Sequence, residues 1–457
     1  MRLQLFKFYC IIKIAKVFKN ATKGIFYVQI IARAIVIGGF MQNKLYNTIK
    51  KYVKAKPIRF HMPGHNGYNI NINTSYDITE LSFSDNLIES KDVILNVERN
   101  IATAYHTNYS LMLTNGATSG VAIALHTAKN FGNKLLLVSA QHKSVHNYAN
   151  IFSFDITYTE SLQNINLNDF DIVVINTPNY FGEVLIDINQ LKDCKPLVIW
   201  DASHCSHFAF NSKFPKLPTD IADITILSFH KTLPVLTGGA GIVCNDQNIY
   251  NHLCYSRSML HSSSPSYLTM ISIDNAICNY SQNGEKLYDK VFTELKLFKH
   301  KLNKSKYKYI VTTDFTRLCI CTNGISAKKI SEQLEEENIY LELAQKDILV
   351  AIITPYNYKH LIRYAKALNN ITCTEKYEDF YKEKLSKIDT KCKSIEFLDL
   401  KDCSNRISAS NIGIYPPGTP IITIGDLLDE SVINYLANTE YEIFGLTNGK
   451  VPVFKTE

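Results

Sequence analysis

The chain has 457 residues, of which 46% are hydrophobic and 20% are charged, a composition that supports a large buried core and excludes intrinsic disorder. The formal net charge of +7 belongs to residues 1–40, which contain seven Lys or Arg and no Asp or Glu, so the rest of the chain carries 49 − 7 = 42 basic against 42 acidic residues. A neutral body gives no reason to expect a nucleic-acid surface. The eleven cysteines are scattered without a C-x-x-C pair, which favours reduced thiols in a cytoplasmic protein and predicts no metal site.

Residues 1–40 differ in character from the chain that follows. Their apolar stretch, "IFYVQIIARAIVIGGF" (25–40), has Arg33 near its middle and is shorter than a typical membrane span. We interpret residues 1–40 as an N-terminal extension outside the fold. A targeting peptide or membrane anchor, and a helix docked on the fold, are the two alternatives.

The chain then alternates between apolar runs of strand length and helical or loop segments. The apolar runs lie in "SLMLTNG", "KLLLVSA", "DIVVINTP", "PLVIWDASH" and "ITILSFHK". Strands that are apolar throughout and alternate with helices predict an α/β domain with a mainly parallel sheet, covered on both faces. We assign residues 41–285 to this large domain. "RLCICTN", "AKKISEQLEEENI" and "ILVAIITP" then predict a smaller α/β domain over 286–375, and the more polar residues 376–457 a third unit.

Polar residues follow several of these strands, at the edge where a parallel sheet binds its ligands. Lys231 follows one strand and could form an imine with an aldehyde, and Asp201 ends another and could pair with a protonated pyridine nitrogen. "TNGATSG", which contains Gly116, Ala117, Thr118 and Ser119, forms a strand-to-helix turn able to hold a phosphate dianion. His142 could stack on an aromatic ring. Together these features predict a pyridoxal 5'-phosphate site. Taken singly, each residue is also typical of a surface lysine, a helix cap, a structural histidine or an ordinary tight turn.

Further motifs resemble the short-form Orn/Lys/Arg decarboxylases, which are pyridoxal-phosphate enzymes of the aspartate-aminotransferase fold (fold type I). The resemblance is carried by "HMPGHNGY" (61–68), "DITELSFSDNL" (77–87), "TNGATSG", "QHKSVHN", "NTPNYFGEVLIDI", "DASHCSHFAF", "SFHKTLPVLTGGA", "YPPGTP" and "GDLL", all in the order of the family. It covers roughly residues 43–430.

The resemblance implies roles for individual residues. Lys231 would be the Schiff-base lysine, Asp201 would bind the pyridine nitrogen, and His142 would stack on the ring. His230 would lie beside the imine and take part in proton transfer. Thr118, Ser119 and Ser228 would contact the phosphate, and Ser203 would pack on the opposite face of the ring. Residues 41–285 would then be the cofactor-binding domain with an N-terminal arm, and residues 376–457 a decarboxylase-type C-terminal domain.

Four positions depart from the family pattern and put the retention of activity in question. "DASH" replaces the commoner DEAH, with Ala202 in place of the acidic residue, and Asn86 stands where an acidic residue is expected. Ser410 and Asp426 stand where relatives have Glu. Because these last two positions would lie near the substrate end of the site, a changed recognition of the distal basic group is expected.

The implied reaction is decarboxylation of arginine, lysine or ornithine to the corresponding amine of polyamine biosynthesis. The implied assembly is a homodimer or a dimer of dimers with shared active sites, with no membrane or nucleic-acid partner. Two alternatives remain open at this point: an aminotransferase or lyase on the same fold, and a non-catalytic scaffold or regulatory homologue. Intact Lys231 and Asp201 argue against the scaffold, since a scaffold has no need of either residue.

Overall fold

The computed structural model describes residues 55–60, 80, 84–302, 306–377, 394–415 and 418–455. Its strands are β1 (Ile58–Phe60), β2 (Tyr109–Leu113), β3 (Lys134–Val138), β4 (Asp155–Thr159), β5 (Ile172–Asn176), β6 (Leu197–Asp201), β7 (Ile224–Leu227), β8 (Ala240–Cys244), β9 (Lys308–Ile310), β10 (Arg317–Cys321), β11 (Ile339–Leu341), β12 (Leu343–Gln345), β13 (Ile348–Ile352), β14 (Ile395–Leu398), β15 (Arg406–Ile407), β16 (Ile412–Tyr415), β17 (Pro420–Ile422), β18 (Leu427–Leu428), β19 (Glu442–Phe444) and β20 (Val451–Phe454). Its α-helices are α1 (Val93–Ala104), α2 (Gly116–Ala128), α3 (Lys143–Ile151), α4 (Phe229–Thr232), α5 (Gln247–Leu260), α6 (Tyr267–Leu302), α7 (Ala327–Glu336), α8 (Leu361–Asn370) and α9 (Glu430–Asn438).

A seven-stranded sheet with the order β2-β8-β7-β6-β5-β3-β4 forms the centre of the large domain. The neighbours from β7 to β4 are parallel, whereas β8 runs antiparallel to both β2 and β7. Because β2 and β8 are antiparallel, β2 ends at the same edge as the parallel strands, and β8 begins there. The turns after β2, β3, β5, β6 and β7 therefore meet along one edge of the sheet.

Both faces of this sheet are buried. Along β3, Leu135 and Leu137 pack into one apolar cluster, together with residues of α2 and α5, and Leu136 and Val138 pack into the other, together with residues of α6. Successive side chains of a strand point to opposite faces, so a strand covered on both sides must be apolar throughout. This requirement explains the uninterrupted apolar runs of the sequence.

The chain beyond the central sheet builds smaller antiparallel sheets. Strands β9, β10, β12 and β13 form a four-stranded sheet with the order β12-β13-β10-β9, while β1 and β11 pair in parallel. The C-terminal strands form a three-stranded sheet, β17-β16-β19, and the two pairs β14-β20 and β15-β18. These strands and α9 enclose an apolar cluster of their own, which includes Ile412, Ile422 and Val453.

The predicted α/β class with a mainly parallel sheet is confirmed. Two strands of the sheet, β4 and β8, were not identified from the sequence. The contacts group the chain from Ile58 onward into one compact unit, and the domain boundaries at 285/286 and 375/376 remain predictions. The extension 1–40 and the "HMPGH" segment lie outside the described residues. No helix among the described residues combines the length and the apolar character needed to span a bilayer.

Candidate active site

The ends of five strands, β2, β3, β5, β6 and β7, and the turns that follow them enclose a small cavity of about 140 Å³ at the sheet edge. The residues that line it are Gly116, Ala117, Thr118, Val121, His142, Ser144, Asn176, Asp201, Ser203, His204, Ser228, His230 and Lys231. The cavity thus brings together nine of the ten residues predicted to bind the cofactor. The tenth, Ser119, is buried and donates its hydroxyl to the carbonyl of Gly116 at 2.8 Å, within the first turn of α2.

The turn after β2 presents the first residues of α2 to the cavity. Gly116 has φ of +78°, a backbone conformation that L side chains rarely adopt, and its N–H donates to the carbonyl of Gly238 at 2.7 Å. The backbone amides and the Thr118 hydroxyl at the start of a 13-residue helix favour an anion such as phosphate.

Asp201 and Asn176 end the neighbouring strands β6 and β5, in register with each other. Asp201 is buried and accepts the N–H of Ser203 at 3.1 Å. The side-chain amide of Asn176 donates to Ala140 at 3.1 Å, while its oxygen is buried without a hydrogen-bond partner. A buried carboxylate and an unsatisfied acceptor in one cavity suit a ligand that carries a cationic ring nitrogen and a donor group.

Lys231 lies on α4, the four-residue helix that follows β7. Its Nζ lies 3.2 Å from Nε2 of His204. Burial lowers the pKa of the Lys231 amine, and the nearby Arg317 lowers it further, against the opposing charges of Asp201 and Glu342. A lysine in this environment has a larger neutral fraction, and the neutral amine is the nucleophile.

His142 caps the N-terminus of α3 and accepts the N–H of Ser144 at 3.2 Å. Burial, followed by the charges of Lys231 and Lys143, lowers the pKa of His142 to about 3. The ring is therefore neutral at physiological pH. Gly418 lies beside it: a Cβ added at Gly418 would lie 3.6 Å from Nε2 of His142, and the Gly418 carbonyl accepts the N–H of Lys143 at 3.2 Å. The C-terminal region thus closes one side of the site.

His230 precedes Lys231 on the same short helix and also lines the cavity. Its Nδ1 lies 3.4 Å from the hydroxyl of Ser228 and 3.2 Å from the carbonyl of Gly239. These contacts orient the ring between the turn that carries Lys231 and the start of β8.

Several polar residues of the site were not identified from the sequence. His204 contacts Lys231 directly, and its place in "DASH", three residues after Asp201, was the signal that could have revealed it. Arg317 on β10 lies 3.1 Å from His204, and the hydroxyl of Tyr180 donates to Glu342. Arg317 and Glu342 come from the small domain, and no sequence pattern links them to the strand ends.

The four departures from the family pattern occupy structural positions and do not line the described cavity. Ala202 is fully buried, and the side chain of Asn86 accepts the N–H of Ile88 at 2.8 Å. Ser410 donates to the carbonyl of Gly445 at 2.8 Å. Asp426 is buried and accepts the N–H of Thr423 at 2.7 Å.

Comparisons with known proteins place most of the chain beside amino-acid decarboxylases. Residues 367–457 match the family described as the C-terminal domain of Orn/Lys/Arg decarboxylases. The predicted resemblance to that family is confirmed. An arginine decarboxylase of Bacillus subtilis is 25% identical, over 86% of this chain and 93% of its own length. The constitutive lysine decarboxylase of E. coli superposes with a TM-score of 0.65 at 15% identity, over 83% of this chain and 75% of that chain.

The fold is shared more widely than the family. An alanine–glyoxylate aminotransferase of Nostoc superposes with a TM-score of 0.54 at 12% identity, over 68% of this chain and 95% of its own. The predicted fold class, fold type I with an aspartate-aminotransferase-like large domain, is therefore confirmed, as are the smaller elements that follow it.

Proposed function

We propose that the protein is a pyridoxal-phosphate-dependent decarboxylase of a basic amino acid, namely arginine, lysine or ornithine. The observation that carries the proposal is the convergence of the Lys231 amine, the Asp201 carboxylate and the turn at Gly116 on one cavity. Lysine, carboxylate and anion-binding turn match the aldehyde, the ring nitrogen and the phosphate of that cofactor. When bound, the cofactor supplies the electron sink for the electron pair that CO2 leaves behind.

The chain's own residues would hold and tune the cofactor. Thr118, Ser228 and the amides at Gly116 would bind the phosphate, and Asp201 would keep the ring nitrogen protonated. The neutral ring of His142 would cover one face of the cofactor and Ser203 the other. Lys231 would form and release the covalent link, and His230 is proposed to move a proton beside it.

A carboxylate near Lys231 supports a cationic substrate. The Glu342 carboxylate acts on the Lys231 amine by its charge, and Tyr180 donates its hydroxyl to it. The same carboxylate also acts on the hydroxyl of Tyr415. We propose that Glu342 faces the distal ammonium or guanidinium of the substrate, the role for which Ser410 and Asp426 were considered from the sequence.

The proposal is tested by adding cofactor to the purified chain and measuring the release of labelled CO2 from carboxyl-labelled arginine, lysine and ornithine. We expect CO2 from one of the three, and loss of nearly all turnover in Lys231→Ala. Lys216→Ala is the matched control, because Lys216 forms only an exposed pair with Asp220 and should retain activity. A keto acid product without CO2 would identify an aminotransferase instead, and no turnover of any candidate would favour the non-catalytic alternative.

We further propose a cytoplasmic homodimer or dimer of dimers with shared active sites, in line with the family resemblance. Light scattering of the purified chain measures its mass in solution. A fully active monomer would contradict this proposal.

A further inference from the structure

A chain of three polar side chains leads from the small domain to the reactive amine. The guanidinium of Arg317, through one terminal nitrogen, lies 3.1 Å from Nδ1 of His204. On the other side of the same ring, Nε2 of His204 lies 3.2 Å from Nζ of Lys231. The imidazole is therefore held between two nitrogen groups at hydrogen-bond distance.

Because the group at Nδ1 of His204 is the guanidinium of Arg317, the direction of both hydrogen bonds to the ring is fixed. A guanidinium has only donors and stays protonated in proteins, so Nδ1 of His204 must accept. Burial, together with the charges of Lys231 and Arg317, holds the pKa of His204 well below its usual value, so the ring carries one proton, and that proton is on Nε2. A ring N–H at Nε2 needs an acceptor, and Lys231 can accept only as the neutral amine, because an ammonium has no lone pair.

Arg317 is fixed in the position that this arrangement requires. Asp314 is fully buried and its carboxylate lies 3.8 Å from Nε of Arg317. Asp314 in turn accepts the N–H and the hydroxyl of Thr316 at 2.9 and 2.6 Å, and lies 3.2 Å from His207. These hydrogen bonds are made by Oδ1 of Asp314 and fix the carboxylate, whose Oδ2 faces Arg317 at ion-pair distance and stabilises its charge.

The loop after β5 packs directly on the same arginine. Gly182 has φ of +85°, and a Cβ added there would lie 2.5 Å from Cγ of Arg317. The carbonyl of Gly182 also accepts the N–H of Asp314 at 2.8 Å. Only glycine satisfies both the backbone conformation and this close approach. The sequence thus leaves room for Arg317 to reach His204.

The charges around Lys231 come from several elements. Asp201 on β6 and Glu342 between β11 and β12 raise the pKa of the lysine, whereas burial and Arg317 lower it. His142 on α3 is neutral. Burial and Arg317 favour the neutral amine, and a hydrogen bond donated by His204 acts in the same direction.

We propose that Arg317 and His204 are positioning residues which together present an N–H donor to Lys231 and so hold its side chain as the neutral, nucleophilic amine. This proposal rests on the proposed function, since a neutral amine at this position is useful for forming a covalent link to an aldehyde. No electron transfer or additional reactant is involved: the two residues select a tautomer and a protonation state.

The tautomer of His204 can be measured directly. The full chain is labelled with ¹⁵N-histidine, prepared free of cofactor, and its imidazole nitrogens are resolved by two-bond ¹H–¹⁵N correlation; the His204→Gln variant assigns the signal. We expect a proton on Nε2 and none on Nδ1 in the unmodified chain. In Arg317→Met, which removes the donor, we expect the Nδ1–H tautomer or a protonated ring to appear. A proton on Nδ1 in the unmodified chain would refute the proposal without the need for any variant.

The state of Lys231 is measured in the same cofactor-free protein. Limited acetylation at a series of pH values, followed by peptide mass spectrometry, gives the labelling rate of Lys231 relative to the exposed Lys216. We expect Arg317→Met to slow the labelling of Lys231 about tenfold at neutral pH, the effect of a rise of one pKa unit. The conservative Arg317→Lys variant keeps a charged donor and should restore most of the rate.

An unchanged labelling profile in a folded Arg317→Met variant would overturn the proposal, because a purely structural arginine would leave that profile alone. Both readouts are obtained without cofactor or substrate. They can therefore fail while CO2 is still released from a basic amino acid, and they can succeed when no such release is found.

Discussion

The Asp201→Asn substitution tests whether the buried carboxylate at the end of β6 serves the cofactor or only the local turn. Asparagine has nearly the same shape and keeps the side-chain oxygen that accepts the N–H of Ser203 at 3.1 Å, but it removes the charge. Opposite charges about 4 Å apart attract each other by about 4 kcal/mol at an effective dielectric constant of about 20. The asparagine side chain can recover part of this attraction as a hydrogen bond to the ring nitrogen. The remaining loss of transition-state stabilisation should be at least about 2.7 kcal/mol, which corresponds to a fall of about 100-fold in kcat/KM.

The same substitution, which should lower turnover, should not destabilise the cofactor-free protein against unfolding. Asp201 is 4% exposed, and a buried charge is costly in the absence of its cationic partner. Urea unfolding of the cofactor-free variant should therefore show an unchanged or higher free energy of unfolding, by up to about 2 kcal/mol. Asp223→Asn is the control, because Asp223 precedes the neighbouring strand at the opposite edge of the sheet and binds the N–H of Val198 at 2.8 Å; turnover should not change. A near-normal rate in Asp201→Asn, or a large loss of stability without cofactor, would show that the carboxylate is only a turn residue.

Three further predictions concern stability. The pKa of His142 is about 3 in the folded chain and about 6.5 in the unfolded chain, so the unfolded chain binds more protons below pH 6.5 and the free energy of unfolding falls on acidification. Between pH 7 and pH 5, urea titrations should therefore show a His142→Phe variant losing about 2 kcal/mol less unfolding free energy than the unmodified chain. Equal losses in the two proteins would contradict the low pKa of His142. Glu98→Gln leaves the buried Arg257 without its carboxylate partner and should lower the free energy of unfolding by about 3 kcal/mol. The control Lys216→Ala, at an exposed ion pair, should lower it by less than about 1 kcal/mol. Similar losses in the two variants would refute the importance of the buried ion pair. Removal of residues 1–40 should leave Tm and turnover almost unchanged, and unfolding of the shortened chain would identify those residues as a docked part of the fold.

Much of the architecture could be predicted from local patterns in the sequence. The apolar runs that end at Asn176, Asp201 and Leu227 are continuous because their strands are buried on both faces, and burial on both faces is characteristic of parallel sheets. Since the strands end at one edge, the lysine, the carboxylate and the glycine turn that follow them were expected to meet, and they line one cavity.

Two strands escaped sequence analysis for different reasons. The outermost strand, β4, has no fully buried residue and therefore lacks the apolar signature of its neighbours. The strand β8 is fully buried, but it begins directly after a Gly-Gly turn and runs antiparallel to its neighbours. The short segment "AGIVC" contains no pattern that predicts this reversal of direction.

Local sequence patterns were enough to identify the residues at the strand ends, because the alternation and burial of strand residues depend on neighbouring positions in the chain. The side chains that reach those residues from distant parts of the chain could be identified only from the three-dimensional packing. Arg317 contacts His204 across 113 positions of sequence, Glu342 meets Tyr180 across 162, and Gly418 covers His142. Such contacts depend on how the small and C-terminal elements pack against the sheet edge. No periodicity or spacing encodes them, because the free energy that brings them together comes from burial of apolar faces elsewhere in the chain.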